Sequence, residues 1–575
     1  MQAQSASNVT VESKVVANPV LRGMMPDPTC LWDQDRESIV VVNSSFEQVP
    51  GLPITESPDL LTWTHAGFAV DADMGNKLFL DCARDSGGLF APTMRKKDGR
   101  YIIACTVKNV DCDLALRQGH SPQAILAYKR SGGNFIITAD SLSGPWNGPF
   151  WIEGAVGIDP DIYIDSDGVM YWTQTTPAER PKWSGQTAIW TQRISSDSWE
   201  LQGERTVIWH GASTEAFWPE GPHLYRYGDY IYLFTAEGGT YLHHSEMVAR
   251  AYAPRSLDEA LQSSRVSRLC QNCYESRLFR PSPNNPLLTH RNMGLSFPVQ
   301  CVGHADIACH PRYGWLLFCL GVRRYADADG RNPRTYLGRE TFVTTLQWQQ
   351  QIPEETDIMD RCFSGTKDPG WPVASPGIGR LPLALRIQDE SSRVSLMDTA
   401  ECLYPQIGQP QMPPISIAGD RSNGTFRRIT DLPMWMWLSD SFETVIHLSR
   451  SNYISFDVSS RPAGGCDVIV HMMIDSCIHE SIVAVEKCNV ENMAIVFRGA
   501  TTEIVIADTD AAQLKQNLRP QYVLPARYTT AHVFDTGYLS VESTSGFVGC
   551  LAGVRMLGAD EILQEERQVA HMKAE

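Results

Sequence analysis

Three observations predict an all-β protein, built as one large β-domain followed by a smaller β-sandwich. Between about residues 19 and 350, short apolar runs are separated by Gly, Pro, Asp and Asn, with no long helical period between them. Tyr101-Ile102-Ile103-Ala104-Cys105, Val169-Met170-Tyr171-Trp172, Tyr230-Ile231-Tyr232-Leu233-Phe234 and Trp315-Leu316-Leu317-Phe318 are examples. Two polar turns recur loosely, Ser57-Pro58-Asp59-Leu60-Leu61-Thr62-Trp63 and Ser141-Leu142-Ser143-Gly144-Pro145-Trp146. Each ends on a tryptophan placed to pin the outer strand of a repeated unit. Strand-like runs then resume after residue 428, among them Val445-Ile446-His447-Leu448, Val468-Ile469-Val470, Ala494-Ile495-Val496-Phe497 and Gly546-Phe547-Val548-Gly549, at a spacing that suits a sandwich.

At 575 residues the chain exceeds one ordinary domain. We divide it into a polar N-terminal tail (1–15), the first β-domain (16–352), an irregular connection (353–428) and the second β-domain (429–575). The connection is rich in Pro, Ser, Asp and Gly and reads as chain draped over a surface. Residues 559–575 have helical composition without a core, which predicts a short helix or disorder.

Composition narrows the function classes. Hydrophobic content of 43% with 20% charged residues describes a globular protein with ample core. A formal charge of -17 argues against nucleic acid and anionic membrane partners, which require a positive footprint. It suits a neutral partner such as a sugar. No run has the roughly 18 or more apolar residues of a membrane span, and residues 1–14 lack the basic start and apolar core of a secretory leader. Fifteen cysteines leave at least one unpaired, and Cys105, Cys319 and Cys550 lie in apolar runs where buried thiols are common. Cys270-Gln271-Asn272-Cys273 is a lone CxxC without a second pair at zinc-site spacing. Of the three sequons, at Asn8, Asn43 and Asn423, the middle one ends an apolar run and is expected inside the protein. These features lean towards an intracellular protein, or one whose leader was removed. Oligomeric state is left open, a homo-oligomer included.

Three carboxylates stand apart from the solvated charges. Glu220 lies in Trp218-Pro219-Glu220-Gly221-Pro222-His223-Leu224, on rigid backbone at the mouth of a strand, beside aromatics that limit its hydration. Such surroundings raise a carboxyl pKa, as a general acid working near neutrality needs. Taken alone, the stretch reads first as a Pro-Gly turn containing a Glu. Asp27 in Met25-Pro26-Asp27-Pro28-Thr29 and Asp159 in Gly157-Ile158-Asp159-Pro160-Asp161 share the setting, each locked by a following proline at the start of a strand. An acid, a base and a third carboxylate are what hydrolysis of a glycosidic bond uses.

On these blocks and their order, the sequence resembles glycoside hydrolase family 43, the group of β-xylosidases and α-L-arabinofuranosidases. Asn18-Pro19-Val20-Leu21, Ser44-Ser45-Phe46-Glu47, Gly87-Gly88-Leu89-Phe90-Ala91-Pro92, Ala236-Glu237-Gly238-Gly239-Thr240, Leu288-Thr289-His290-Arg291, Gly303-His304-Ala305-Asp306 and Leu337-Gly338-Arg339-Glu340-Thr341 carry the match across about 350 residues. The resemblance implies a five-bladed β-propeller for the first domain and a concanavalin-like sandwich for the second. It also implies an exo-acting, inverting glycosidase on xylo-oligosaccharides or arabinosylated oligosaccharides.

In that reading Asp27 is the general base, Glu220 the general acid and Asp159 the carboxylate that raises the acid's pKa and orients the sugar. Arg339 binds substrate, with a structural ion pair to Glu340 as the competing role. Phe46 and Phe90 wall the sugar, and Thr240 lies near the leaving group. His304 points into the central channel, either as a hydrogen-bonded core residue or as a group that holds a divalent cation, such as calcium, through water. No cofactor is required. Two positions depart from the pattern: Met25 stands where the family usually has histidine, and Phe90 where it has tryptophan. A catalytically silent sugar-binding propeller and a protein-interaction scaffold are the alternatives from other classes. Exo-action calls for a wall beyond the first sugar, for which the segment at Gly546-Phe547-Val548-Gly549 is the candidate.

Overall fold

The computed structural model describes residues 13–388, apart from 47, 268–277, 295–296, 324–337 and 350–367, and beyond these only separate strands up to residue 542. Five antiparallel sheets follow one another along the chain. Blade 1 comprises Thr29–Asp33, Ser38–Val42, Gly51–Ser57 and Thr64–Val70; blade 2 comprises Thr93–Lys97, Arg100–Val110, Asn134–Ala139 and Asn147–Trp151. Blade 3 comprises Ile158–Ile164, Met170–Pro177, Thr187–Ile194 and Leu201–Trp209. Blade 4 is built on Glu220–Tyr227, Tyr230–Glu237 and Ser245–Tyr252. Blade 5 comprises Val299–His310, Gly314–Arg323, Glu340–Gln349 and Trp371–Ala374. The first strand of each blade contacts the first strand of the next, and the fifth contacts the first, so the five close into a propeller.

The apolar runs are explained by where their two faces go. Successive strand residues point to opposite faces, and both faces of a blade are covered by neighbours. Val40 and Val42 of blade 1 pack with Ile103, Cys105, Phe135 and Ile137 of blade 2. The alternate residues Ile39 and Val41 pack with Leu316, Phe318 and Val343 of blade 5. Ile102, Ala104 and Ile136 likewise turn towards Trp172 and Trp190 of blade 3. Blades 3 and 4 meet over Tyr171, Ile189, Ile231 and Leu233, and blades 4 and 5 over Phe234, Val248, Leu317 and Phe342. Each fully buried Leu, Ile or Phe contributes about 1.5–3 kcal/mol of transfer free energy.

Ring closure is stitched by the N-terminal segment. Asn18 Nδ2 donates to the carbonyls of Val343 and Pro382, each at 2.9 Å, and its Oδ1 accepts from the Val343 amide at 2.9 Å. Leu21 pairs with Thr341. Asn43 is buried, as its sequence position predicts, and donates to the Pro26 carbonyl and Thr341 Oγ1, both at 2.9 Å. Trp371–Ala374 and Ala384–Gln388 fall in the stretch read as an irregular connection. The first is blade 5's outer strand, and the second pairs with Ser13–Ala17.

The two tryptophan-ended turns both join the third strand of a blade to its fourth, in blades 1 and 2. Trp63 is buried, and its Nε1 donates to the Leu60 carbonyl at 3.1 Å. Helices are short insertions, the best formed being Pro122–Ser131, which Ser121 caps and Gly132 ends. No helix among the described residues is long and apolar enough to cross a membrane. Further along, the described strands between Met434 and Glu542 form two four-stranded sheets. The CxxC at 270–273, Cys550, the 546–549 segment, the sequons at Asn8 and Asn423 and the 559–575 tail lie outside the described residues.

A buried polar plug runs through the propeller's centre and touches all five inner strands. Arg95 of blade 2 donates to Asp161 Oδ1 of blade 3 at 2.6 Å and to Asp306 Oδ2 of blade 5 at 3.5 Å. Asp306 Oδ2 also accepts from Thr29 Oγ1 and the Cys30 amide of blade 1. Asp161 Oδ2 accepts the Leu224 amide of blade 4 at 3.0 Å. Both carboxylates are wholly buried. Charges so placed are costly unless fully paired, and these are matched across blades.

Candidate active site

The ends of the strands decide which residues meet. In an antiparallel blade the start of the first strand, the end of the second and the start of the third lie at one end of the propeller. Asp27 precedes blade 1's first strand and Phe46 follows its second; Phe90 precedes blade 2; Asp159 and Glu220 open blades 3 and 4. Thr240 follows blade 4's second strand, His304 lies midway along blade 5's first strand at its bulge and Arg339 precedes blade 5's third strand. All eight line one cavity of about 350 Å³, together with Ala91, Ile158, Thr175, Pro177, Thr187 and Trp218.

Strained backbone aims these side chains. Asp27, Phe46, Asp159, Trp218 and His304 have φ of 49°, 51°, 55°, 44° and 52°, a left-handed conformation that non-glycine residues adopt at a cost of about 1–3 kcal/mol each. Register shifts at Ile158/Asp161, Glu220/His223 and Gly303/Asp306 mark bulges in the first strands of blades 3, 4 and 5. A bulge turns a side chain away from the regular alternation, here towards the channel mouth.

Asp27 is held most closely. Arg339 Nη1 donates to its Oδ1 at 2.9 Å, Ser44 Oγ to its Oδ2 at 2.5 Å, and His304 Nδ1 stands 4.0 Å away. Burial pushes this carboxyl up, but the Arg339 guanidinium, the neighbouring His304 and the Ser44 hydroxyl together hold it below the usual carboxylate range. The ion pair weighed between Arg339 and Glu340 is not formed. Glu340 instead takes both arms of Arg323, each at 2.7 Å, which leaves the Arg339 fork facing the cavity and Asp27.

The other two carboxyls shift the opposite way. Burial, and then the charge of Asp27, raise Asp159 to about 7, although the Gly221 amide donates to its Oδ2 at 3.1 Å. Glu220 is pushed well above its ordinary value by burial, by Asp159 and by Asp27, in that order. Its backbone is fixed from behind: Thr175 Oγ1 and Thr187 Oγ1 both donate to the Pro219 carbonyl, at 2.7 and 2.6 Å. Gly221 must be glycine, because its φ is 56° and a Cβ there would stand 3.0 Å from the His304 ring.

The walls are apolar. Phe46 and Phe90 meet edge to face, with centroids 5.4 Å apart, and the Arg339 guanidinium lies 5.1 Å from the Phe46 ring centroid. His304 is buried, and burial lowers it to about 4, so it is neutral near pH 7. Among the described residues, His304 belongs to no group of three ligand-type side chains that could grip an ion directly. Among the described residues, the one trio of ligand-type side chains with donor atoms within 4.8 Å of one another is Asp81, Cys82 and His120.

Sequence reasoning missed Trp218 as a wall, although it stands two residues before Glu220. It also missed Ser44, whose position in Ser44-Ser45-Phe46 carried a signal only through Phe46. Glu246 had no signal at all. Glu246 is wholly buried and accepts the Ala305 amide at 2.9 Å, which fixes the bulge bearing His304.

Comparison with known proteins places this geometry. Residues 16–353 match the family model described as glycosyl hydrolases family 43. The chain is 28% identical over 565 residues to a xylosidase/arabinosidase of Butyrivibrio fibrisolvens, covering 94% of this chain and 95% of that protein. It is 31% identical over 343 residues to the non-reducing end α-L-arabinofuranosidase BoGH43B of Bacteroides ovatus, covering 60% of this chain and 53% of that one. A β-xylosidase of Bacillus subtilis is 30% identical over 343 residues, covering 59% and 56%. Among solved structures, the xylan β-1,4-xylosidase of Bacillus halodurans superposes with a TM-score of 0.65 at 19% identity, covering 91% of this chain and 96% of that one. The Bacteroides ovatus xyloglucan-locus protein GH43B gives 0.63 at 20% identity, covering 94% and 98%. At these identities the superpositions establish the shared fold.

Proposed function

Because the chain belongs to glycosyl hydrolases family 43 and is therefore a glycosidase acting on carbohydrate, we propose that it removes the terminal β-1,4-linked xylose of xylo-oligosaccharides with inversion. The observation that carries the reading is the opposite displacement of Asp27 and Glu220 within one cavity. A base must be ionised and an acid protonated at the same pH, and the Arg339 pair and the apolar burial supply those two conditions.

In the proposed reaction Asp27, held by Arg339 and Ser44, takes a proton from a water that attacks the anomeric carbon. Glu220 gives its proton to the departing glycosidic oxygen. Inversion needs the two carboxyls roughly 6.5–9.5 Å apart, so that the water fits between base and sugar. Burial, and then the like charge of Asp159, keep Glu220 protonated, and Asp159 faces the sugar hydroxyls. Phe46, Phe90 and Ile158 press on the ring's apolar face, and the Arg339 fork suits vicinal hydroxyls. A cavity of about 350 Å³ lies at the small end of ligand pockets and suits one pentose unit. A divalent cation near His304 would be held through water.

α-L-Arabinofuranosidase action is the second reading, favoured by the names of the Butyrivibrio and Bacteroides relatives. Turnover of 4-nitrophenyl β-D-xylopyranoside beside 4-nitrophenyl α-L-arabinofuranoside decides between them. Faster xyloside turnover supports the main reading, faster arabinofuranoside turnover the second, and sugar binding without turnover of either would leave a silent propeller.

A further inference from the structure

A second cavity, of about 490 Å³, lies against the outer side of the active-site rim. The partition between the two is a pair of consecutive rings. Trp218 lines the catalytic cavity and Phe217 the second one, and the rings are packed at 4.6 Å between centroids, tilted by 31°. Across the partition, Gly238 faces the second cavity and Thr240 the first. The linings of the two spaces are thus neighbours in the chain, one residue apart at Phe217 and Trp218 and two apart at Gly238 and Thr240.

This partition is preformed. Trp183 Nε1 donates to the Ala216 carbonyl at 2.8 Å, the Gly238 amide to the Phe217 carbonyl at 2.7 Å and the Trp218 amide to the Gly185 carbonyl at 2.8 Å. Glu237 Oε1 holds the far end of the same loop through the Ala212 amide at 2.7 Å. Gly239 sits beneath Trp218, where a Cβ would come within 2.7 Å of the indole.

The lining of the second cavity has the chemistry of a sugar site. Phe217 presents an apolar ring that is 40% exposed, and Ser213, Glu237, His243 and Arg291 supply polar groups around it, while Asn285 is tied to the Val248 backbone. Glu237 is 5% exposed, and its Oε1 accepts the Ala212 amide at 2.7 Å and Trp209 Nε1 at 3.3 Å, while burial raises the carboxyl to about 7. Stacking on a ring edged by polar groups is how proteins hold neutral pyranoses, whose faces are C–H and whose rims are hydroxyls.

We propose that this second cavity binds the distal sugar units of the substrate, beyond the residue that leaves with the glycosidic oxygen, so that longer xylo-oligosaccharides are preferred to xylobiose. The inference rests on the xylosidase reading above. The chain crosses the rim beside Thr240 and Trp218 and settles on Phe217.

The test compares initial kcat/KM for xylotetraose, xylobiose and 4-nitrophenyl β-D-xylopyranoside in wild type, Phe217→Ala and Ser213→Trp. Ser213 is exposed, so a bulky side chain there fills the cavity without entering the core. Wild type should prefer xylotetraose to xylobiose by about tenfold, and both variants should abolish that preference while Ser213→Trp keeps the aryl-xyloside rate within about twofold. A wild-type enzyme indifferent to chain length overturns the proposal. So does a preference that survives Ser213→Trp, and so does an equal loss on all three substrates in that variant. Absence of turnover on every xyloside in wild type would instead count against the xylosidase reading itself.

Discussion

Arg339 Nη1 lies 2.9 Å from Asp27 Oδ1, so the candidate base carries its counter-charge with it. Replacing Arg339 by methionine removes the largest influence that lowers the Asp27 carboxyl. The acid limb of the kcat/KM profile reports ionisation of that base. In Arg339→Met it should move to higher pH, because Asp27 then accepts a proton more readily. The rate on the plateau should fall by about two orders of magnitude as one preorganised donor to the sugar is lost. An unmoved acid limb would detach Arg339 from the base.

Asp159 predicts the opposite displacement. Its charge helps hold Glu220 protonated, so in Asp159→Asn the Glu220 carboxyl should fall and the alkaline limb of the profile should shift to lower pH. A limb that stays in place or moves up would mean that Asp159 acts only by orienting substrate.

The role of Glu220 is read from leaving groups. A good leaving group needs little protonation. Glu220→Gln should therefore lose about 100-fold or more on xylobiose yet retain most activity on a dinitrophenyl xyloside, whereas Asp27→Asn should lose both. Equal losses of Glu220→Gln on good and poor leaving groups would remove it as the acid.

Beneath the site, Arg95 joins Asp161 and Asp306 across three blades. Arg95→Ala leaves two buried carboxylates without their cation and should destabilise the protein by about 3–5 kcal/mol, measured by urea unfolding. A change under about 1 kcal/mol would show that other groups neutralise the plug.

Among the described residues His304 belongs to no group of three ligand-type side chains that could grip an ion directly, and in the proposed reaction Asp27 and Glu220 move both protons, so exhaustive chelation should leave kcat/KM unchanged. A fall reversed by calcium, and absent in His304→Ala, would restore a catalytic metal.

What could be read from the chain and what could not divide along physical lines. Asp27, Asp159 and Glu220 were legible because proline or glycine neighbours fix local backbone, and local backbone is written in local sequence. The blade strands were legible as apolar runs, and Trp63 and Trp146 as turn ends. A third such turn, Ser195-Ser196-Asp197-Ser198-Trp199, joins the same strands of blade 3 and went unread because it is shorter. Helix Pro122–Ser131 carried its signals too, Ser121 before Pro122 and Gly132 after, but strand periodicity around it dominated. The partner of Arg339 was not legible. Its choice of Asp27 over the adjacent Glu340 depends on Arg323, which reaches Glu340 from the neighbouring strand. Likewise, the contribution of Trp371–Ala374 to blade 5 is a long-range pairing that local composition, dominated by Pro and Gly, does not express.

The central claim is that Asp27 activates water against a sugar whose leaving oxygen Glu220 protonates, in one displacement. Proton NMR of the first sugar released from a β-xyloside, taken before mutarotation, tests it most directly. α-Xylose is expected as the initial product, equilibrating later to the mixture. Initial β-xylose would reveal a covalent intermediate and contradict the assignment of Asp27 as base.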